Sequence, residues 1–230
     1  MTSPKKKLDK EIWIIAAKRT PFGALAGSLK DVTAIDLAVH ASKAALAQAN
    51  VSPGDVDQVL LGNVQQTSAD AIYGARHVGL KSGVPIERPA LTLNRLCGSG
   101  FQAVVTAAEQ ILLGEAHLVL AAGSENMTQA PHVIYGLRDG AVKFGRPPAL
   151  ADSLWDALTD SYTKTPMAVT AENLAQKYGI TREQSDAFAL RSQKRWAAAQ
   201  EAGGFADEIA PITVKAGKKE LTVDRDEHAR

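Results

Sequence analysis

The single cysteine of this chain, Cys97, lies in a segment whose pattern predicts a reactive thiol. The segment NRLCGSG (94–100) places Cys97 between a predicted strand and a predicted helix, with glycines at positions 98 and 100. Backbone N–H groups at a helix start are unpaired, and the helix dipole stabilises a negatively charged thiolate there. Glycines let a substrate carbonyl approach the backbone, where the N–H of Cys97 can contribute to an oxyanion site. These features predict a nucleophile for covalent acyl transfer.

The alternative interpretation is a small buried side chain in a tight turn, which is the commoner role of a lone cysteine. The segment lacks the Gly-Lys-Ser/Thr of a phosphate-binding loop and the glycine spacing of a dinucleotide fingerprint. No Cys-x-x-Cys or His-x-x-x-His pair predicts a zinc site. None of the histidines lies in a motif typical of a general base. They are His40, His77, His117, His132 and His228.

The composition is typical of a globular protein. The 230 residues are 45% hydrophobic and 22% charged, and the formal net charge of +1 does not favour nucleic acid or an anionic membrane as a partner. No apolar run approaches the roughly 18 residues that a membrane span needs. Residues 1–10 are rich in lysine and lack the apolar core of a secretory signal. One cysteine cannot form an internal disulfide, which fits a reducing compartment.

Alternating strand-like and helix-like segments predict an α/β domain with helices on a mixed or parallel sheet. The predicted strands are 11–18, 56–64, 89–93 and 117–122, and the predicted helices are 33–50, 69–80 and 98–113. The third helix is apolar nearly all round, which is typical of a buried helix. We therefore expect a further layer to cover it.

The pattern changes after Gly123, where loop-forming residues become frequent. Thr181 and Gln184 have the spacing of a capping box, which predicts the start of a long helix. The predicted elements are a loop over 131–148, helices over 167–178 and 181–202, and a hairpin of 209–214 with 220–223. We predict one domain over 1–123 and a second over 124–230.

The segment NRLCGSGFQAV (94–104) resembles the acyl-enzyme motif of thiolases. Similar segments occur in order along nearly the whole chain, and their number makes chance similarity a poor explanation. Within the family, the resemblance is strongest to 3-ketoacyl-CoA thiolases of fatty-acid β-oxidation, of the mitochondrial-matrix type, and to their bacterial relatives. The segments are AAKRTPFG (16–23), LLGNVQQ (60–66), ARHVGL (75–80), GSENMTQAP (123–131), DSLWDALTD (152–160), PMAVTAENLA (166–175) and VDRDEHAR (223–230).

The resemblance implies an α/β fold of two similar halves that form a five-layer α-β-α-β-α sandwich, with the cysteine-bearing helix in the central layer. This chain corresponds to the N-terminal half. Residues 1–123 are then an α/β domain that lacks its last strand, and residues 124–230 are an incomplete inserted loop domain that covers CoA.

The implied reaction is thiolytic cleavage of a 3-ketoacyl-CoA. The thiolate of Cys97 attacks the keto carbon, acetyl-CoA leaves, and free CoA takes the acyl group from sulfur. In reverse, the same site performs a Claisen condensation of two acyl-CoA molecules. CoA is a substrate in this scheme, and no cofactor or metal is implied.

The resemblance also implies positions that contact CoA. Arg230, which closes DEHAR, matches the family arginine that packs on the adenine ring, and a guanidinium suits that role because it stacks and carries charge. Leu158 and Met167 match apolar positions along the pantetheine tunnel. The alternatives are a solvated arginine and two core residues. Pro166 replaces a histidine that is frequent in short-chain biosynthetic thiolases, which favours a degradative enzyme.

The family's other catalytic residues lie beyond this sequence: an asparagine in Asn-Glu-Ala-Phe, a histidine in His-Pro-x-Gly and a second cysteine in Cys-x-Gly-Gly-Gly. We expect an N-terminal portion of a thiolase that by itself is either poorly stable or completed by a C-terminal complementing chain. The family norm predicts a homodimer or homotetramer. The expected location is bacterial cytoplasm or, as an alternative, the mitochondrial matrix.

Two other functions remain open from the sequence. One is a non-catalytic acyl-CoA-binding or assembly subunit of a two-chain complex, which retains the fold without the chemistry. The other is a decarboxylating condensing enzyme, against which the segments PMAVTAENLA and DEHAR argue.

Overall fold

A parallel three-stranded sheet organises the part of the chain that carries Cys97. The computed structural model describes residues 10–138, 140 and 142–229. The strands and their helices are β1 (Gln58–Gly62), β2 (Ala90–Leu93), β3 (Val119–Gly123), α1 (Ala34–Ala49), α2 (Gly74–Ser82) and α3 (Ser99–Leu113). The strand order is β2-β1-β3, and all three strands are parallel. Helix α2 connects β1 to β2, and α3 connects β2 to β3. These elements confirm the predicted helices and three of the four predicted strands.

The two faces of the sheet hold separate cores. Successive side chains of a strand point to opposite faces, and in β1 Val59 and Leu61 face α1 and α2. Leu60 points the other way, against Ala103 and Ala107 of α3. All three β1 side chains are at most 1% exposed. The result is a three-layer arrangement in which α3 alone covers its face of the sheet within the described chain.

Local signals fix the ends of α1, as the sequence predicts. The Thr33 hydroxyl accepts a hydrogen bond from the N–H of Asp36 at 3.0 Å and so caps the first turn. Asn50 ends the helix in the left-handed conformation, with φ of 53°, a conformation that asparagine adopts more readily than most residues.

Helix α3 belongs to the one stretch of the described chain that is long and apolar enough to cross a membrane. Residues Leu96–Leu113 form an 18-residue stretch with a mean hydropathy of 1.2, of which 17% is buried. The expectation that no stretch reaches this length is wrong, because alanine, valine and leucine outweigh the few polar residues. However, α3 connects the outer parallel strands β2 and β3 and packs on the sheet over Leu60 of the central strand β1, which is the position of a crossover helix in an α/β domain.

Residues 11–18 do not form the predicted first strand. Trp13, Ile14 and Ile15 are 75%, 78% and 56% exposed, and no sheet includes this run within the described residues. The first backbone pairing that follows is a bridge between Arg19 and Ile209. The apolar run has the composition of a strand, but a strand also needs a hydrogen-bonding neighbour, and no described strand lies beside it.

Residues 127–205 form a second unit. Its antiparallel strand pairs are β4 (His132–Val133) with β5 (Ala151–Asp152), and β6 (Thr159–Asp160) with β7 (Thr165–Pro166); its helices are α4 (Ser153–Ala157), α5 (Met167–Tyr178) and α6 (Arg182–Glu201). The capping box at the start of α6 is confirmed, because Thr181 and Gln184 exchange side-chain and backbone hydrogen bonds. Both predicted helices of this unit are therefore present.

The chain then returns to the first unit as a hairpin of β8 (Ile212–Ala216) and β9 (Lys219–Val223), which confirms the predicted hairpin. Ile212 and Val223 pack against Leu29 and Leu37. The first unit thus contains the chain through Asn126 together with Ala206–Glu227. The predicted boundary after Gly123 lies close to this division, but the prediction that 124–230 is one domain differs from the structure, because the hairpin buries its apolar side chains against the first unit.

An ion-pair network anchors this returning segment. The guanidinium of Arg19 donates to both carboxylate oxygens of Asp226, at 2.6 and 3.0 Å, and to Glu208. Asp226 also accepts from the N–H of Phe22 at 2.8 Å, and its side chain is only 8% exposed. The next residue, Glu227, accepts from the N–H of Ala24 and from Ser28.

We expect Asp226→Asn to lower the free energy of unfolding by about 2 kcal/mol, because it removes a charge-assisted bidentate pair and leaves the part-buried guanidinium of Arg19 with fewer partners. Urea unfolding monitored by circular dichroism measures this change. Asp31→Asn is the control, since Asp31 pairs with Lys30 at an exposed site, where less than about 0.5 kcal/mol is expected. Equal unfolding midpoints for the two variants would contradict the anchor.

Candidate active site

Cys97 lies at the carboxyl edge of the parallel sheet, between the end of β2 and the start of α3. Its side chain is exposed and forms no disulfide. It is followed by Gly98, the residue that precedes the first turn of α3. The carboxyl edge of a parallel sheet is the usual place for ligand binding in open α/β folds. The interpretation of Cys97 as a buried core side chain is therefore wrong, and its thiol is accessible to a substrate.

A tight turn presents the thiol. The N–H of Gly98 donates to the carbonyl of Arg95 at 3.1 Å, and the N–H of Ser99 donates to the carbonyl of Leu96 at 2.9 Å. The Ser99 hydroxyl adds a hydrogen bond to the same Leu96 carbonyl at 2.6 Å. Leu96 itself has φ of 48°, in the left-handed region that bulky residues rarely adopt. The backbone just before Cys97 is thus held in a strained conformation.

The start of α3 touches the ends of β1 and β3. A Cβ on Gly62 would lie 2.5 Å from the carbonyl carbon and oxygen of Ser99, and a Cβ on Gly123 would lie 3.0 Å from the Cα of Gly100. Gly62 and Gly123 are paired in register on neighbouring strands. The absence of side chains at both positions therefore lets the helix start sit on the sheet edge. Gly100 itself faces open space.

A partly buried carboxylate lies at the same edge. Glu125, two residues beyond β3, accepts from the N–H groups of Val64 and Gln65, at 2.9 and 3.2 Å, and from the side-chain amide of Asn63 at 3.1 Å. Burial raises the pKa of Glu125 above the usual carboxyl range, since the carboxylate is withdrawn from water, and the three N–H donors oppose this shift. The carboxylate thus ties the loop after β1 to the end of β3.

The histidines of the first unit have partners away from Cys97. His40 contacts the carbonyl of Pro211 at 3.0 Å, and His77 lies 3.5 Å from Asp70. His117 lies at the opposite end of β3, where its backbone N–H donates to the carboxylate of Asp57. Within the described residues, no hydrogen bond links a histidine to Cys97, so no candidate general base of that type is found there.

The two apolar CoA candidates lie together in the second unit. Leu158 ends α4 and Met167 begins α5, and the N–H of Met167 donates to the carbonyl of Leu158 at 3.0 Å. Leu158 directly precedes β6 and Met167 directly follows β7, so the two residues flank this short strand pair. Their side chains are 40% and 58% exposed, so neither is a buried core residue within this chain. Arg230, the third candidate, lies outside the described residues.

Four residues that shape this edge were not identified from the sequence: Gly62, Gly123, Glu125, and Asn94, whose side chain forms hydrogen bonds with Val64 and Leu96. The sequence contains a signal for the two glycines. Both β1 and β3 end in glycine followed by a polar residue, which is typical of strands whose carboxyl ends approach another backbone. The pairing of the two glycines, however, becomes evident only when the strands are neighbours.

Comparison with known proteins shows what this chain resembles. Residues 12–230 match the family described as "Thiolase, N-terminal domain". The chain is 56% identical to human "3-ketoacyl-CoA thiolase, mitochondrial" over 219 residues, which cover 95% of this chain and 55% of the human protein. It is 45% identical to "Acetyl-CoA acetyltransferase" of Chromobacterium violaceum over 218 residues, which cover 94% and 55%. The chain thus spans about half the length of the curated relatives it matches.

A solved structure gives the same result for the fold. The crystal structure of human mitochondrial 3-ketoacyl-CoA thiolase in complex with CoA matches with a TM-score of 0.89 and 56% identity, over 94% of this chain and 53% of that chain.

We expect Gly62→Ala to destabilise the chain by more than about 2 kcal/mol, because the new methyl group would overlap the backbone at Ser99 and displace the start of α3. Gly100→Ala is the matched control, since it places the same methyl group in open space on the same helix start. There the expected change is a gain of about 0.5–1 kcal/mol, the helix preference of alanine over glycine. Thermal and urea unfolding of both variants distinguish the two effects. A Gly62→Ala variant as stable as the wild type would contradict the close contact.

Proposed function

The chain belongs to the thiolase family and has its fold, and from this premise we propose that it provides the acyl-accepting cysteine of a 3-ketoacyl-CoA thiolase. The observation that carries the proposal is the position of Cys97, exposed and one residue ahead of the N-cap Gly98 of α3, at the ligand-binding edge of a parallel sheet. The partial positive charge of the helix start favours an anionic sulfur there. An accessible thiolate is the species that acyl transfer requires.

The proposed reaction has two steps. The Cys97 thiolate adds to the keto carbon of a 3-ketoacyl-CoA, the bond between C2 and C3 breaks, and the electron pair leaves on C2 and takes a proton to give acetyl-CoA. The shortened acyl group is now a thioester on sulfur. The thiolate of free CoA then attacks that thioester, which releases the shortened acyl-CoA and restores Cys97. The reverse sequence is a Claisen condensation.

We assign CoA contacts to Leu158, Met167 and Arg230. Leu158 and Met167 present neighbouring, partly exposed apolar side chains, which suits the apolar stretches of pantetheine. Arg230 is assigned to the adenine ring on its position in the DEHAR segment. The support for a CoA site is that a relative of the same fold has a structure in complex with CoA. CoA acts as substrate in this proposal, without a further cofactor.

The apolar outer face of α3 supports the proposal that a further polypeptide segment covers it. Phe101 and Leu113 are 83% and 73% exposed, and Val104 and Val105 are 44% and 45% exposed. An apolar helix face of this kind is costly in water and marks an interaction surface. We propose that it is covered by the part of a thiolase that corresponds to the unmatched share of the relatives, either in the same or in a second polypeptide. That part brings the histidine and second cysteine that the resemblance implies.

The second candidate function is a non-catalytic acyl-CoA-binding or assembly subunit. It requires only the partly exposed apolar side chains of Leu158 and Met167 assigned to CoA, and no chemistry at Cys97. The mitochondrial names of the human and other mammalian relatives support the mitochondrial matrix, while the bacterial cytoplasm stays a prediction. The homodimer or homotetramer of the family stays a prediction as well.

We expect purified chain incubated with acetyl-CoA to gain one acetyl group on Cys97, because the exposed thiol lies next to the polar start of α3. Intact-mass spectrometry measures the adduct, and Cys97→Ser, which should not be labelled, is the control. A second arm of the experiment adds a polypeptide that spans the unmatched part of the human relative. This arm tests whether a complementing chain accelerates the labelling of Cys97. We expect that arm to label faster, since it supplies the missing base.

No adduct in either arm, from a folded chain that binds CoA, would contradict the catalytic proposal and support the non-catalytic subunit. An adduct of equal rate in both arms would contradict the need for a complement and leave Cys97 active by itself.

We expect Arg230→Ala to weaken CoA binding about five- to tenfold, because it removes a guanidinium stacked on adenine. Isothermal titration of the full chain with CoA measures the dissociation constant. The control is Arg225→Ala, which removes the same charge from an exposed position five residues earlier. Equal losses for both variants would show a general charge effect and contradict the assignment of Arg230.

A further inference from the structure

A continuous series of hydrogen bonds connects the partly buried carboxylate of Glu125 to Leu96, the residue before Cys97. Glu125 accepts a hydrogen bond from the N–H of Val64 at 2.9 Å. The carbonyl of Val64 in turn accepts one from the side-chain amide of Asn94 at 3.2 Å. The side-chain oxygen of Asn94 accepts from the N–H of Leu96 at 2.9 Å. Three loops at the sheet edge, those after β3, β1 and β2, are linked in this way.

The first part of the series is fixed by hydrogen bonds. The Glu125 carboxylate is partly withdrawn from water, and it is stabilised by three N–H donors on a single loop. A partly buried carboxylate keeps such donors because each lost hydrogen bond leaves a partly desolvated charge. The loop at Asn63–Gln65 is therefore held rigidly, and so is the Val64 carbonyl that Asn94 uses.

The last part of the series acts on a strained residue. Leu96 adopts φ of 48° although its side chain is 60% exposed, so burial of the side chain does not hold it in the left-handed conformation. Its carbonyl is held by Ser99, and its N–H is held by Asn94. Both ends of the residue are thus fixed by hydrogen bonds, and the direction of the following residue, Cys97, depends on them.

We infer that Glu125 and Asn94 are positioning residues that hold Leu96 left-handed and thereby aim the Cys97 thiol. This inference rests on the proposed function, since the aim of the thiol matters only for a nucleophile. Neither residue contacts the sulfur through any hydrogen bond of the described structure. Both act through the backbone, Glu125 on the loop at Val64 and Asn94 on the turn at Leu96.

The test measures the reactivity of Cys97 toward iodoacetamide in the full chain, without CoA. Asn94→Ala removes the link to Leu96 from an exposed position and leaves no cavity. Glu125→Gln has nearly the same volume, but its amide nitrogen would face the N–H of Val64. We expect each variant to slow alkylation about fivefold, the order of the preference against a left-handed leucine. Glu87→Gln, an exposed carboxylate of the same unit, is the control and should leave the rate unchanged.

Rescue distinguishes positioning from general destabilisation. Glycine adopts positive φ without penalty, so Leu96→Gly makes the Asn94 hydrogen bond dispensable. We expect Asn94→Ala combined with Leu96→Gly to react within about twofold of Leu96→Gly alone. We also expect Asn94→Ala and Glu125→Gln to be non-additive, because they interrupt one series of contacts. Thermal melts confirm that each variant is folded at the assay temperature.

The inference is overturned if Asn94→Ala and Glu125→Gln react at the wild-type rate, or if Leu96→Gly does not restore the rate in the Asn94→Ala background. Because Asn94 is exposed, its variant and the glycine rescue decide the outcome even where Glu125→Gln lowers the melting temperature. The outcome is separate from that of the proposed function. A wild-type thiol that is alkylated but never acetylated contradicts the function, whereas unchanged alkylation of the variants contradicts only the positioning.

Discussion

The close contact between the start of α3 and the ends of β1 and β3 determines where Cys97 lies relative to the sheet. Gly62 and Gly123 lie side by side in the sheet and leave no room for a side chain beneath Ser99 and Gly100. The helix start is therefore fixed relative to the sheet and not only to the turn before it. A displacement of about 1 Å at a reacting group is enough to reduce a rate strongly. A nucleophile at this position must be held rigidly, and the two glycines permit the close packing of the helix start that holds it.

Much of this arrangement could be predicted from the sequence because its signals are local. The cap at Thr33 and the capping box at Thr181 have fixed spacings that specify helix starts whatever surrounds them. The alternation in β1 separates Leu60 from Val59 and Leu61, and the structure sends them to different cores. The site is only partly of this kind, since a cysteine followed by glycines between a predicted strand and a predicted helix indicates a thiol at a helix start, whereas its exposure is decided by the fold.

The remaining features depend on partners that are distant in sequence. Arg19 and Asp226 are separated by 207 residues, and neither has a local pattern that identifies the other. For this reason the sequence could not predict that the hairpin returns to the first unit. Residues 11–18 fail for the related reason that a strand is defined by its neighbour. Glu125 was missed because a carboxylate after a strand is usually solvated, and its N–H donors lie on the loop at Val64, about sixty residues away.

The composition of α3 connects the fold to the proposed chemistry. Its inner face needs only Ala103 and Ala107 to pack on the sheet, yet its outer face carries Phe101 and Leu113 in contact with water. A helix that covered a sheet at the protein surface would have polar residues there. The apolar outer face instead fits a helix between two layers, which is the central position of this helix in the thiolase sandwich. Under the proposed function, a thiol at the start of a helix between two layers is accessible to groups from either layer, so the position of Cys97 is compatible with a general base that this chain does not provide.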